Sequence, residues 1–263
     1  MFHNWRTDDP VSSKVSRIFI LIASFFVANV VLAELLGIKI FSLEKSLGFA
    51  PLNLSFFGKN GLSMNLTVGV IIWPLSFLLT DMVNEYFGKR AVQFLSWLTL
   101  GVISYMFVMV VVCMQLAPAD FWLGVNASRG VADTSTAYNA IFGQGAWIVV
   151  GSMVAFLIGQ LVDVVVFHRL KRLTGERMIW VRSTGSTLVS QFIDSYVVLI
   201  IAFYFGANWD LAQVLAIGTM NYIYKSSMAL LLTPVIYVFH HAIETYLGHE
   251  LATQLKQNAS SDQ

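Results

Sequence analysis

Six apolar segments, each long enough to cross a lipid bilayer, constrain the fold of this chain more than any other feature. They cover approximately residues 17–36, 65–87, 91–116, 145–167, 182–205 and 211–239. An α-helix rises about 1.5 Å per residue, so about 20 apolar residues span the hydrocarbon core. Backbone groups in lipid must be hydrogen-bonded within the segment, which favours helices. The sequence therefore predicts an all-α integral membrane protein, a six-transmembrane-helix bundle.

The composition supports a membrane protein and excludes several other classes. Of the 263 residues, 57% are hydrophobic and 12% are charged, about half the charged fraction of a soluble domain. The single Cys113 lies in an apolar segment, which argues against a disulfide framework and a cysteine metal site. The phosphate-binding pattern Gly-x-x-x-x-Gly-Lys is absent. We predict no catalytic residue, metal, cofactor or nucleic-acid partner, and therefore no enzyme.

Lysine and arginine residues are concentrated at the N-terminus and in every second connection. These residues are Arg6, Lys14, Arg17, Lys89, Arg90, Arg169, Lys171, Arg172, Arg177 and Arg182. The connections on the opposite side contain only Lys39, Lys45, Lys59 and Arg129. Cytoplasmic connections carry the excess of positive charge, so both termini are predicted to be cytoplasmic. The predicted organisation is a cytoplasmic N-terminal segment at 1–17, a six-helix transmembrane domain at 18–242 and a cytoplasmic C-terminal tail at 243–263. The part of this tail after His249 is polar and predicted to be loose.

Two local patterns predict departures from plain helix. The longest connection, residues 37–64, alternates after Ile38 and contains the turn dipeptide Asn60-Gly61, so we expect a short β-hairpin in the first external loop. Pro74 and Pro234 each remove a backbone hydrogen bond inside an apolar segment. They predict interruptions of those two helices.

Charged side chains recur inside the apolar segments. Lys225 lies within an otherwise apolar or small stretch at 219–237, where an ammonium costs at least about 2.5 kcal/mol. Asp81, Asp163 and Asp194 occupy comparable positions in three other segments. Their polar neighbours follow at three or four residues, as in 81/84/85, 160/163, 187/190/191/194 and 221/225, so each set forms one helix face. This pattern predicts a polar site between helices.

The candidate binding residues are of two kinds. Some are polar side chains predicted to lie in the inner-to-middle part of the bilayer, and the others are aromatic side chains near them. They are Asp81, Gln160, Asp163, Gln191, Asp194, Asn221, Lys225, Trp73, Phe77, Tyr222 and Asn29. Simpler roles stay open: Asp194 and Lys225 can form a structural ion pair, and Asp163 can pair with the basic connection after it. Gln160 and Gln191 can hold helices together. Glu85, Lys89 and Arg90 are predicted to be side chains of the membrane interface.

Several of these stretches together resemble the queuosine precursor transporter family, also called the vitamin uptake transporter family. They are WPLSFLLTDMVNEYFG at 73–88, GQLVDVVVFH at 159–168, RSTGSTLVSQFID at 182–194, NYIYK at 221–225 and LLTP at 231–234. The resemblance covers about residues 18–242, with six helices in the same order. It implies import of 7-deazaguanine bases such as preQ0, preQ1 or queuine through the bacterial cytoplasmic (inner) membrane.

For such a cargo the resemblance gives the candidate residues roles. We expect Asp194 or Asp163 to accept the donor edge of the base, Gln191 and Gln160 to fix its carbonyl, and Lys225 to pair with an acid in the empty site. Besides the small-molecule substrate and membrane lipid, a second copy of the chain is a mild expectation. One alternative is a substrate-binding membrane subunit that needs a separate ATPase. An intramembrane enzyme and a structural scaffold are the remaining alternatives.

Overall fold

The computed structural model describes residues 10–143, 146–175 and 178–261, so Arg6 and Arg177 lie outside the described residues. Nine α-helices occur in these ranges: α1 Pro10–Leu36, α2 Leu43–Leu47, α3 Gly69–Gln115, α4 Asp120–Leu123, α5 Thr134–Phe142, α6 Ala146–Thr174, α7 Ile179–Leu199, α8 Leu211–Leu247 and α9 His249–Ser261. A π-helical stretch, Ile200–Phe205, continues α7, and Ala127–Arg129 forms a 3-10 turn. The strands described are β1 Ile40–Ser42, β2 Leu54–Phe56, β3 Lys59–Leu62 and β4 Asn65–Thr67.

Five of the described helices are long and apolar enough to cross a membrane: α1, α3, α6, α7 with its π-helical continuation, and α8. The chain is therefore an all-α membrane protein with several spanning helices. The most extensive helix contacts join α6 to α7, α1 to α3 and α7 to α8. Helix α3 also contacts α7 and α8, so parts of these three helices come together in the interior.

Helix α3 contains two of the predicted apolar segments. It has 47 residues, and a straight helix of that length would be about twice as long as the hydrocarbon core is thick. Its backbone departs from helical geometry at Gly88, where φ is 79° and ψ is 179°. The predicted start at residue 65 is wrong, because Asn65–Thr67 pairs as a strand and the helix begins at Gly69.

The two prolines do not interrupt their helices. Pro74 lies inside α3 and Pro234 inside α8, and both helices continue through them. The predicted interruptions are therefore wrong at both positions. Proline is tolerated inside membrane helices because neighbouring groups can satisfy the freed carbonyl. The break in α3 falls instead at a glycine.

The connection between α1 and α3 contains two antiparallel strand pairs. Strand β1 pairs with β4, and β2 pairs with β3. The turn between β2 and β3 is formed by Phe57 and Gly58, both with positive φ. The predicted turn at Asn60-Gly61 is wrong, because both residues belong to β3.

Burial tends to raise the pKa of Glu44 in α2, but hydrogen bonds, chiefly from the Met64 N–H at 2.7 Å, lower it overall.

The C-terminal segment is not the loose tail that the sequence predicts. Residues His249–Ser261 form α9, which packs against α3. Ala252 and Ala259 are buried in this contact. The Lys256 Nζ atom lies 2.5 Å from Glu244 Oε1 of α8 and 5.6 Å from the centre of the Tyr86 ring. Small buried residues and one ion pair therefore hold this polar helix in place.

Gly88→Ala is expected to destabilise the protein by about 1–3 kcal/mol, because its φ and ψ lie in a region that is almost exclusive to glycine. An added Cβ would also lie 3.2 Å from the carbonyl oxygen of Ala259. The measurement is the thermal unfolding of the purified protein in detergent. Gly101→Ala, in the same helix with no neighbour within 4 Å, is the matched control. Equal melting temperatures for the two variants would refute this role for Gly88.

Candidate functional site

A narrow cavity lies in the interior between α3, α7 and α8. Its volume is about 30 Å³, room for about two water molecules. The polar side chains of its wall come from all three helices: Asp81, Ser183, Thr184, Thr187, Gln191 and Lys225. The structure therefore brings polar side chains of three helices to one cavity.

Two aromatic rings form the apolar side of the cavity. Trp73 and Phe77 are one turn apart on α3, so their rings lie on the same helix face. The ring centroids are 5.8 Å apart and the planes are inclined by 26°. Trp73 also packs on Phe156 of α6, with a centroid distance of 6.0 Å. A flat aromatic ligand can stack against such a surface.

Asp81 places a carboxylate in the cavity wall one turn beyond Phe77. Its side chain is 2% exposed. The Ser183 hydroxyl of α7 donates a hydrogen bond to its Oδ2 atom. The Oδ1 atom has no hydrogen-bond partner among the described residues. A buried acceptor without a donor costs about 1–3 kcal/mol, so this oxygen is suited to receive a donor from a ligand.

Gln191 provides both a donor and an acceptor. It lines the cavity from α7 and is 1% exposed. Within the described part of the chain, neither its Nε2 nor its Oε1 atom has a hydrogen-bond partner. One turn further along α7, Asp194 forms an ion pair with Lys225 of α8. Both charged side chains are mostly buried, with 20% and 12% of their side-chain surfaces exposed.

Asp163 and Gln160 do not belong to the cavity wall. Both lie on α6 and are buried. The Ser190 Oγ atom of α7 lies 3.2 Å from Asp163 Oδ1, and Gln160 Nε2 lies 3.5 Å from Thr80 Oγ1. The described contacts of Asp163 are thus with a hydroxyl rather than with the basic connection after α6. These two side chains form a layer behind the cavity.

Three other candidates also lie away from the cavity wall. Asn221 and Tyr222 are half-buried on α8, one turn before Lys225. The Tyr222 ring packs edge-on against Phe192, with centroids 5.3 Å apart. Asn29 is half-buried on α1, and its Nδ2 atom has no partner among the described residues. Predicted depth and helical spacing grouped Asn29 and Asn221 with the others, and Tyr222 was a candidate because of its aromatic ring.

A buried charge cluster lies next to the cavity. Glu85, one turn after Asp81 on α3, is 0% exposed. Arg182, the neighbour of Ser183, donates to its two carboxylate oxygens at 3.1 and 2.7 Å, and Lys171 Nζ lies 3.4 Å away. The predicted interfacial role of Glu85 is therefore wrong. Its charge is held inside the bundle by two cations.

Sequence interpretation missed Ser183 and Thr184 as cavity-lining residues. They lie on α7 near Thr187 and Gln191, and the hydroxyl-rich run at 182–187 was the available signal. Hydroxyl groups give a weak signal in membrane helices, because they can bond to their own backbone one turn away. Ser186 does so here, with its Oγ atom 3.0 Å from the Ser183 carbonyl oxygen.

The residues that line the cavity lie in the part of the chain that matches a known protein family. Residues 67–239 match a family model described as "Putative vitamin uptake transporter". A "Probable queuosine precursor transporter" of Bacillus subtilis (strain 168) is 29% identical over 174 residues, 65% of this chain and 70% of that protein. The protein of the same description from Haemophilus influenzae is 28% identical over 177 residues, 66% and 67% of the two chains.

A third relative carries a similar description. The "Queuosine precursor transporter" of Escherichia coli (strain K12) is 29% identical over 168 residues, 62% of this chain and 67% of that protein. No solved structure matches the chain. All side chains that line the cavity fall within residues 67–239.

Proposed function

Because the chain belongs to the vitamin uptake transporter family, we propose that it imports queuosine precursors, 7-deazaguanine bases such as preQ0, preQ1 or queuine, across the bacterial inner membrane. The observation that carries this proposal is the composition of the cavity wall. It combines an aromatic surface with a carboxylate oxygen and an amide that have no hydrogen-bond partner among the described residues. These are complementary to a flat base with a donor edge and a carbonyl.

The proposed topology has six spanning helices with both termini in the cytoplasm. Helix α3 supplies two of the six spans, joined at Gly88, and the other spans are α1, α6, α7 and α8. The excess of lysine and arginine on one side supports the orientation. With this orientation, Glu85 and Arg182 lie on the cytoplasmic side of the cavity.

Recognition of the base follows from its hydrogen-bonding groups. A deazaguanine presents a ring N–H and an exocyclic amine side by side, and one carboxylate can accept both. We assign this role to Asp81, which lines the cavity, rather than to Asp163 or Asp194. Gln191 Nε2 donates to the carbonyl of the base, while Trp73 and Phe77 stack on its ring. Asp194 holds the ammonium of Lys225 at the opposite wall.

Gln191→Ala is expected to lower uptake of a labelled 7-deazaguanine base about tenfold, the upper end of what one hydrogen bond contributes. The measurement is initial uptake by cells that carry the variant, normalised to the amount of protein in the membrane. Gln115→Ala at the exposed end of α3 is the matched control. Unchanged uptake by the Gln191 variant would remove Gln191 from the site.

Lys225→Ala is expected to reduce uptake more than tenfold, because Asp194 then keeps a mostly buried charge without a cation. The same unpaired charge is expected to lower the melting temperature. Asp194→Asn together with Lys225→Ala removes both charges and is expected to restore it. Uptake and thermal unfolding are measured on the same variants. Wild-type uptake in Asp194→Asn, Lys225→Ala and Gln191→Ala alike would end the proposal.

Uptake by the purified chain alone separates a self-sufficient transporter from the subunit of a larger system. Proteoliposomes that contain only this chain are expected to take up labelled preQ0, and excess unlabelled preQ0 is expected to block it. A membrane subunit that needs a separate ATPase would bind the base but not move it. That second result would favour the alternative.

A further inference from the structure

The acidic side chains of the spanning helices differ in what compensates their charge. Glu85 contacts Arg182 and Lys171, and Asp194 contacts Lys225. Asp81 and Asp163 have no ion-pair partner within the described ranges, and serine hydroxyls are their nearest polar contacts. Within the same ranges, each of the two also has one oxygen without a hydrogen bond, Oδ1 of Asp81 and Oδ2 of Asp163. Both are almost completely buried.

The hydroxyl groups around Asp163 are shared with backbone carbonyl oxygens. Ser190 Oγ lies 3.2 Å from Asp163 Oδ1 but also 3.1 Å from the Thr187 carbonyl oxygen. Ser186, the second hydroxyl beside Asp163, lies 3.0 Å from the Ser183 carbonyl oxygen. A hydroxyl has only one proton to donate. Each serine therefore divides its one proton between Asp163 and a carbonyl oxygen, so these hydroxyls compensate the charge of a carboxylate less than a cation would.

The nearby cations in the described part of the chain are paired with acids other than Asp81 and Asp163. Asp81 interacts electrostatically with Asp163, with Glu85 on its own helix α3 and with Arg182 of α7. Arg182 already binds both oxygens of Glu85. Lys225 of α8, the cation in the cavity wall, is paired with Asp194. Two neighbouring carboxylates without a cation of their own cannot both ionise cheaply in a buried layer.

We propose that Asp163 is a proton-binding site of the transport cycle and that each base enters together with one proton bound there. The inference rests on the proposed function, since it assigns the base to Asp81. In the loaded state, the N–H groups of the base satisfy ionised Asp81 and the proton neutralises Asp163. The proton binds from the outer side and leaves to the cytoplasm with the base, and no bond within the base changes.

A proton suits this position better than a metal ion. Hard cations such as Ca²⁺ and Mg²⁺ require about six oxygen ligands, whereas Asp163 has two hydroxyl neighbours. In the described part of the chain, no group of three His, Cys, Asp or Glu side chains is placed to hold a metal ion. Intramembrane acids of transporters commonly relay protons.

The test uses purified full-length protein in proteoliposomes with radiolabelled preQ0, which is uncharged. Two rates are compared: exchange of labelled for unlabelled base at equal pH, and accumulation driven by an inside-alkaline pH gradient. Wild type is expected to accumulate the base above its external concentration, and a protonophore is expected to abolish this. Asp163→Asn is expected to lower accumulation at least tenfold more than it lowers exchange. Asp133→Asn, in an exposed connection, is the control.

The outcomes separate the two proposals. Exchange by wild type without any effect of the pH gradient or the protonophore would overturn proton coupling and leave the transport function intact. Accumulation that requires sodium instead of a pH gradient would also overturn it. An equal loss of both rates in Asp163→Asn, with a normal melting temperature, would assign Asp163 to base binding instead. Absence of exchange by wild type would refute the proposed function itself.

Discussion

Asp81→Asn is expected to lower uptake of a 7-deazaguanine base at least about 100-fold, the largest functional loss from a single substitution in the cavity. The amide replaces one acceptor oxygen with a donor that faces the donor edge of the base. Two hydrogen bonds to a charged group contribute about 3–6 kcal/mol together, and the amide loses one bond while opposing the other. Sites built to pair with a polar edge discriminate by similar or larger factors.

Binding of the labelled base to purified protein checks this expectation without the complication of expression level. Asp120→Asn, in the exposed connection after α3, is the matched control. Asn at position 81 keeps the size of the side chain, and its carbonyl oxygen can still accept from Ser183, so the fold should survive. Asp81→Asn that binds the base as wild type does would show that the donor edge is read elsewhere.

Arg182→Met is expected to cause the largest loss of stability, about 3–5 kcal/mol. The substitution leaves Glu85, which is fully buried, with Lys171 at 3.4 Å as its remaining ion-pair partner in the described part of the chain. It also removes the donor at 2.8 Å from the Gly175 carbonyl oxygen at the end of α6. The measurement is the melting temperature in detergent, with Arg129→Met in an exposed connection as the control.

A triple variant identifies the cause of that loss. Methionine at positions 85, 171 and 182 removes all three charges, and an apolar replacement of a buried charge cluster is often neutral or stabilising. We therefore expect the triple variant to recover most of the melting temperature that Arg182→Met loses. If Arg182→Met has the same melting temperature as the wild type, the cluster does not stabilise the bundle.

Sequence patterns predicted an all-α membrane protein with several spanning helices, because length and hydrophobicity alone decide which segments can cross a bilayer. They also singled out Asp81, Gln191 and Lys225, which the structure places in the cavity wall. A charge or an amide in an apolar helix is costly and therefore easy to notice. The turn in the connection between α1 and α3 and the helix start near Gly69 were misplaced. Pairing of β2 with β3 decided the turn, and pairing of β1 with β4 decided the helix start. Local propensity carries no information about either pairing.

Contacts between distant parts of the chain were beyond prediction. Glu85 and Arg182 are 97 residues apart in sequence, so neither reveals that the other neutralises it. The packing of α9 depends on the fit of Ala259 against Gly88, and a polar C-terminal segment gives no sign of this. Helical spacing and predicted depth placed Asp163 and Asn221 with Asp81. Asp163 lies on α6, which does not line the cavity, and Asn221 lies one turn before Lys225 on α8, beyond the cavity wall.

The most direct test of the account is the structure of the purified protein with a bound 7-deazaguanine base. We expect density for a flat bicyclic ligand stacked on Trp73 and Phe77. Its donor edge should lie within about 3 Å of the Asp81 carboxylate, and its carbonyl should face Gln191. Density for the base at any other place, such as the apolar groove between α1 and α8, would contradict the assignment of this cavity.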